Sequence, residues 1–320
     1  MHWLRDRSKD GSTLSFDEAT AVLETKPEDM PILMFAASEV RRRRFGNSAL
    51  LCSIMNARCG ACSEDCAFCA QSAHHQTEVA SYPMVSANEI VAAARSAAAN
   101  PIDHFGVVTS GAAVSDAEVD TVCAAAPEVK QAGVIPCASL GMIGEDQLRR
   151  LKDSGVARYH HNLETARSFF PRICSTHSFD DRLSTVRLAK SVGLEVCCGG
   201  IFGMGESPEQ RVELAVTLRD EDVRSIPLNF LAAIPGTPVE SLEPMRPLDI
   251  LKTVAMFRLV CPTAEIKVCA GRRHLRDLQS MFLYAGATGI MVGNYLTTAG
   301  RPVEEDIQLL KDLEVDFERT

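Results

Sequence analysis

Helical and strand-like periodicities alternate along most of this chain, and no other feature narrows its possible folds as far. A strand pattern over 49–55 is followed by helix 87–98 and strand 104–109, helix 116–131 and strand 134–140, then helix 145–154 and strand 157–163. The series continues with helix 179–192 and strand 194–201, helix 208–220 and strand 226–232, helix 247–260 and strand 266–270, and helix 275–285 with strand 289–294. Strands separated by helices run parallel through right-handed crossovers, and eight of them in one domain predict an α/β fold of the closed (β/α)8 TIM-barrel type. An open doubly wound sheet would carry G-x-G-x-x-G after its first strand. Here the glycine-rich run, Gly199-Gly200-Ile201-Phe202-Gly203-Met204-Gly205, falls at the end of the fifth. A length of 320 residues suits one such domain. Residues 15–45 read as two helices ahead of the first strand, so the expected organisation is a helical extension over 1–47, capping one end, and a barrel over 48–320. Functional groups in such a barrel belong at the C-terminal ends of the strands and in the loops that follow.

The first of those loops carries Cys59-Gly60-Ala61-Cys62-Ser63-Glu64-Asp65-Cys66-Ala67-Phe68-Cys69-Ala70-Gln71, with four of the chain's twelve cysteines. Cys62, Cys66 and Cys69 have the spacing C-x3-C-x2-C, close enough for three thiolates to wrap one face of a cubane cluster and leave its fourth iron open to a small chelating molecule. Two other readings compete. Cys59 with Cys62 and Cys66 with Cys69 form two C-x2-C pairs, as in a four-cysteine zinc site, although zinc ribbons usually separate their pairs by roughly fifteen residues or more. A thioredoxin-like redox pair would open a helix after a lone strand, and neither pair does.

Composition matters mainly for what it excludes. A net charge of −9, with no basic stripe bearing aromatics, argues against nucleic acid as a partner. The run Arg41–Arg44 reads as the solvated, dipole-complementing last turn of a helix. The first ten residues hold no apolar stretch of the kind a signal peptide needs, and no apolar run reaches the roughly twenty residues of a membrane span. The expectation is a cytoplasmic protein, in which twelve cysteines read as metal or cluster ligands more readily than as disulfides.

Other strand ends carry polar residues where a barrel would hide apolar ones. In Arg158-Tyr159-His160-His161-Asn162-Leu163-Glu164, a period of two puts Arg158, His160, Asn162 and Glu164 on one face and Tyr159, His161 and Leu163 on the other. An Asn and a Glu facing a barrel interior imply a ligand, whereas either histidine could equally be a core residue bonded to backbone. Arg182 stands in the first turn of a helix, with a fork suited to a carboxylate or to a surface pair with Asp181. Cys137, Cys197 and Cys269 each lie on a strand, and Lys267 shares a face with Cys269. Cys52, Cys123 and Cys261 read as buried hydrophobes.

The three-cysteine spacing with its aromatic Phe68 resembles the signature of radical S-adenosylmethionine enzymes, and its setting, from Ser53 to Ser72, resembles the biotin synthase version. The resemblance runs from about Phe45 to Lys311. It implies a 4Fe–4S cluster on Cys62, Cys66 and Cys69, with S-adenosyl-L-methionine chelating the open iron. It also implies a 5′-deoxyadenosyl radical that abstracts hydrogen from dethiobiotin before sulfur is inserted. On the same match Phe68, Asn162, Glu164, Arg182, Gly199, Gly200 and Ile201 bind the cofactor, and Asn162, Asn229 and His160 face the substrate. The family's auxiliary iron–sulfur cluster has three cysteines and an arginine. Here Cys137 and Cys197 match two of the cysteines, Gly106 stands at the third, and Lys267 replaces the arginine. Cys269 is then the candidate for the missing sulfur, with Cys174 and Cys198 in reserve. The cluster is of 2Fe–2S or 4Fe–5S type, and this pattern resembles the four-iron branch. Dethiobiotin, a reducing protein such as flavodoxin or ferredoxin, and a second copy in a homodimer are the partners implied. Relatives in the hydrogenase maturase and methylornithine synthase group, and a non-catalytic iron–sulfur or zinc module, are the competing functions.

Overall fold

The computed structural model describes residues 3, 4, 7 and 13–317; most of the N-terminal decapeptide and the last three residues of the 48–320 segment lie outside them. Nine parallel strands make one sheet: β1 (Leu50–Arg58), β2 (His104–Thr109), β3 (Ile135–Ser139), β4 (Arg158–His160), β5 (Glu195–Cys197), β6 (Gly200–Phe202), β7 (Ser225–Phe230), β8 (Glu265–Val268) and β9 (Gly289–Met291). β5 and β6 are halves of one barrel stave, interrupted at Cys198-Gly199, and both pair with β7. β9 returns to β1, so eight staves close the barrel that the alternation predicts.

The helices are α1 (Phe16–Leu23), α2 (Met30–Phe45), α3 (Ala87–Ala98), α4 (Asp116–Gln131), α5 (Glu145–Asp153), α6 (Phe179–Ser191), α7 (Pro208–Asp220), α8 (Pro247–Val260), α9 (Met281–Tyr284) and α10 (Val303–Asp312). Five of them begin at a serine that accepts from a backbone N–H three residues on: Ser15, Ser86, Ser115, Ser178 and Ser207. Each such cap is worth about 1 kcal/mol and fixes where the helix starts, hence where the preceding loop ends. α1 and α2 pack over α8, which is buried along most of its length because the barrel lies beneath it and these two helices above.

Three expectations need correction. Strand four keeps its ladder only to His160, because the chain then bends toward Glu164, whose φ of 68° is left-handed; alternation fails there, and His161 joins His160 in the cavity wall. The helix expected over 275–285 is a 3-10 segment, Arg272–Leu278, broken at Arg276 (φ 51°), followed by the short α9. In the Arg41–Arg44 run, Arg41 is buried. Its guanidinium donates to the carbonyls of Ala287 and Ser48, each at 2.7 Å, tying α2 to the chain just ahead of β9 and β1. α10 has no counterpart in the sequence-level reading.

Candidate active site

The C-terminal ends of the strands open onto a cavity of about 360 Å³. Its mouth is the loop after β1. Gly60 (φ 76°) and Ala61 (φ 49°) turn the chain back on itself, and a side chain at 60 would meet Ser81 Cβ at 2.8 Å. Backbone bonds from Cys62 N to Gln71 O (3.0 Å), Ala73 N to Cys62 O (2.8 Å) and Cys69 N to Cys66 O (2.9 Å) fold the loop so that Cys62, Cys66 and Cys69 all line the cavity. Cys59 does not: it pairs with Tyr82 in an antiparallel bridge outside the wall. Burial pushes the Cys66 thiol up and the Cys69 thiol up to about 11. These sulfurs therefore stay protonated until a cation displaces their protons.

The loop after β4 holds the mouth from the other side. Asp65 accepts from the Ser175 and Thr176 amides at 2.9 and 3.2 Å, and Glu64 is hydrogen-bonded to His177 Nδ1. Arg182 Nε donates to His177 Nε2 at 3.0 Å, so His177 is the Nδ1–H tautomer. Arg182 reaches inward from the first turn of α6. Its Nη1 donates to Asn162 O at 2.8 Å and lies 3.6 Å from Glu164 Oε1; Asp181 instead closes the Ser178 cap. The Glu164 carboxyl is pushed up by burial, only partly offset by Arg182 and Asn162. Asn162 Oδ1 accepts from Gly199 N at 3.1 Å, turning Nδ2 toward Glu164 Oε2 at 3.4 Å. A Cβ at Gly199 would run into Pro227 O, and one at Gly200 into Glu164 O, so only glycine permits this crossing.

Phe68, His160, Asn162, Glu164, Arg182, Ile201 and Asn229 all reach the wall; Gly199 and Gly200 lie behind it. Asn229 joins two elements, donating to Gly200 O (3.2 Å) and accepting from Ala270 N (3.1 Å). His160 Nε2 and His161 Nε2 are buried in this wall with no protein partner, and burial holds both rings neutral. Unmet buried nitrogens cost about 1–3 kcal/mol each, which suits a wall built to meet a polar ligand.

Beneath lies a second group of sulfurs. Cys52, Cys197, Cys269 and Lys267 line the cavity floor. Lys267 is 3% exposed and lies 3.3 Å from Glu265 Oε2, which also accepts from Arg158 Nη1 at 3.0 Å. Burial works against the Lys267 ammonium, but Cys52, Cys197 and Glu265 outweigh it and raise its pKa, while Arg158 opposes them. Arg158 also pairs with Glu195 at 2.9 Å, so two cations meet two carboxylates; of these four groups Lys267 alone lines the cavity, and it presents an ammonium to an occupant. Burial raises the thiols of Cys52, Cys137 and Cys269. Cys137 is in register with Gly106 and Arg158 and does not reach the cavity wall.

Two reserve ligands of the floor are misplaced in the sequence-level reading. Cys174 sits at the mouth, its sulfur 3.8 Å from Cys66 Sγ and 3.2 Å from Asp65 Oδ1, because the loop after β4 folds over the first loop. Cys198 lies in the gap between β5 and β6 and packs into the apolar core, outside the wall. Cys52, read as a buried hydrophobe, is buried and also lines the floor. Cys261 is buried beside Ala215, and Cys123 is only half-buried.

Residues 58–218 match the radical SAM superfamily, and residues 227–316 match the biotin and thiamin synthesis associated domain. The biotin synthase of Geobacter sulfurreducens is 52% identical over 313 residues, 97% of this chain and 95% of its own. That of Trichlorobacter lovleyi is 49% identical over 307 residues, 95% of this chain and 92% of its own. Among solved structures, a methylornithine synthase superposes with a TM-score of 0.85 at 20% identity, covering 99% of this chain and 97% of that one. An FeFe-hydrogenase maturase gives 0.80 at 14%, covering 97% and 73%. At those identities the likeness is one of fold.

Proposed function

The chain belongs to the biotin synthase family of radical S-adenosylmethionine enzymes, and from its family reaction, insertion of sulfur into dethiobiotin to form biotin, we propose how its residues divide the work. One observation carries the reading: three loop sulfurs at the mouth and several strand sulfurs at a floor bearing the Lys267 ammonium open into a single cavity. When bound, the 4Fe–4S cluster with S-adenosyl-L-methionine supplies the means to break unactivated C–H bonds, and the auxiliary iron–sulfur cluster, 2Fe–2S or 4Fe–5S, supplies sulfur.

Cys62, Cys66 and Cys69 hold the first cluster. Arg182 pairs with the cofactor carboxylate, and Glu164, anchored beside Asn162, accepts from the ribose hydroxyls. Gly199 and Gly200 let the chain pass close behind the cofactor, with Phe68 and Ile201 against its apolar surfaces. His160 and Asn162 face the substrate, and Asn229 keeps one Nδ2 hydrogen for its ureido carbonyl after bonding Gly200 O. Cys197 and Cys269 hold the auxiliary cluster from the cavity floor, Cys137 joins them only if its side chain turns through the wall from its place between Gly106 and Arg158, and Lys267 offsets the cluster's negative charge. The closed barrel keeps water from the reacting carbons.

Around this core we assign residues 1–47 as an extension and 48–320 as the catalytic barrel. A reduced flavodoxin or ferredoxin serves as electron donor, and the cytoplasm as compartment. A homodimer would cover the exposed Phe35 and Tyr284. No helix among the described residues is long and apolar enough to cross a membrane. The test is anaerobic reconstitution with iron and sulfide, followed by S-adenosylmethionine, dethiobiotin and a reductant. Biotin should form together with 5′-deoxyadenosine. Cofactor cleavage with no biotin from dethiobiotin would defeat the reading.

A further inference from the structure

Position 106 holds a glycine and so offers the floor no sulfur. A Cβ on Gly106 would sit 3.1 Å from Ile54 Cγ2 and 3.5 Å from His160 Cε1, so a side chain there is crowded and Ile54 would have to shift by a few tenths of an ångström to admit it. The strand beside it offers an alternative. β1 pairs with β2 in the register Ile54 to Gly106 and Cys52 to His104, which puts Cys52 one inward position closer to the floor than Ile54. Cys52 is buried and lines the cavity with Cys197, Cys269 and Lys267.

A buried cysteine is ordinarily a small hydrophobe. Cys52 differs from Cys198 and Cys261 in its place: those two do not reach the cavity, whereas Cys52 lines it. Three sulfurs thus face the cavity floor from well-separated staves: Cys52 on β1, Cys197 at the end of β5 and Cys269 just past β8. Strand-borne sulfurs held apart in this way, beside the Lys267 ammonium, suit an iron–sulfur cluster better than a disulfide or a single ion.

We infer that Cys52 is an iron ligand of the auxiliary cluster, taking on β1 the role that the glycine at position 106 on β2 cannot fill. The inference rests on the floor holding a cluster at all, and the experiment separates the two. In the full chain carrying Cys62→Ala, Cys66→Ala and Cys69→Ala, iron and acid-labile sulfide after anaerobic reconstitution report the floor alone. Cys52→Ala in that background should lower iron and sulfide at least fivefold. Cys52→Ser changes a single atom and so guards against misfolding; it should retain part of the iron with an altered Mössbauer spectrum, as oxygen replaces sulfur at one site. Unchanged iron in the alanine variant, or an unchanged spectrum in the serine variant, overturns the assignment. If the background chain binds no iron with Cys52 intact, the floor-cluster reading fails, and this assignment with it.

Discussion

The mouth and the floor of this cavity each gather sulfur, and they do it in opposite ways. At the mouth, three cysteines within residues 62–69 ride on one loop, shaped by its own backbone bonds and braced through Asp65 and Glu64 by the loop after β4. At the floor, cysteines as far apart as residues 52 and 269 meet because parallel strands fix their inward positions. A loop can wrap one face of a cluster and leave the other open to a chelating cofactor. A ring of strands encloses what it holds and surrounds it with buried charge. The contrast teaches that the mouth is set by local spacing and the floor by barrel register, so the two should fail independently.

Removing mouth sulfurs should produce the largest effect. Cys62→Ala, Cys66→Ala or Cys69→Ala should each reduce S-adenosylmethionine cleavage to background, measured as 5′-deoxyadenosine by chromatography. Cys59→Ala, paired with Tyr82 outside the wall, should stay near wild type. Loss of the first cluster on removing Cys59, or full cluster content without Cys66, breaks the comparison at the mouth.

Next comes the floor. Cys269→Ala should retain the first cluster and cofactor cleavage, lose auxiliary iron and form no biotin. Lys267→Ala should be milder, shifting the cluster's potential or stability, since it removes a buried countercharge and leaves Glu265 paired with Arg158. Near wild-type biotin from the Cys269 variant would detach that residue from the sulfur source. Between the two regions stands Arg182. Truncation to alanine should leave both clusters intact and weaken S-adenosylmethionine binding by about 2–3 kcal/mol, roughly 30- to 150-fold, the loss of a charge-assisted pair. An unchanged dissociation constant by equilibrium titration would restrict Arg182 to bracing Asn162 and His177.

How far each region was legible follows from the same contrast. The mouth lies in one short motif, and the helix starts were written in Ser-x-x-Glu boxes such as Ser86 to Glu89 and Ser115 to Glu118. The floor needed register. Cys52 is buried as expected, but nothing near it in sequence marks its place on the cavity floor, and Cys174 escaped because the packing of two loops, not a period, carries it to Cys66. Strand four was over-extended for a comparable reason: Glu164 adopts a left-handed φ that alternation cannot foresee. α10 escaped notice because it follows the last stave, where the alternation had already been satisfied. Its Asp306 is nonetheless buried against Arg272.

The smallest effect tests whether the interior is as dry as its sulfur chemistry requires. Burial, with Lys267 and Arg158 close by, holds the pKa of His104 far down, to about 2, and drives that of His160 well below its usual value. His161 is held low by burial and by Arg182 and His177. In the unfolded chain each would titrate near 6.5. Below that pH the unfolded state binds protons that the folded state refuses, so stability must fall as pH falls, beginning near 6.5 and continuing toward the folded values. Between pH 6.5 and 5.5 the loss should be about 1 kcal/mol for each of the three rings. His104→Leu removes one ring from the account. Urea midpoints of the cluster-free protein at the two pH values should therefore converge by about 1 kcal/mol in this variant relative to wild type. An identical pH slope would mean that water or a counter-ion reaches His104, and the floor would then be no more secluded than the mouth.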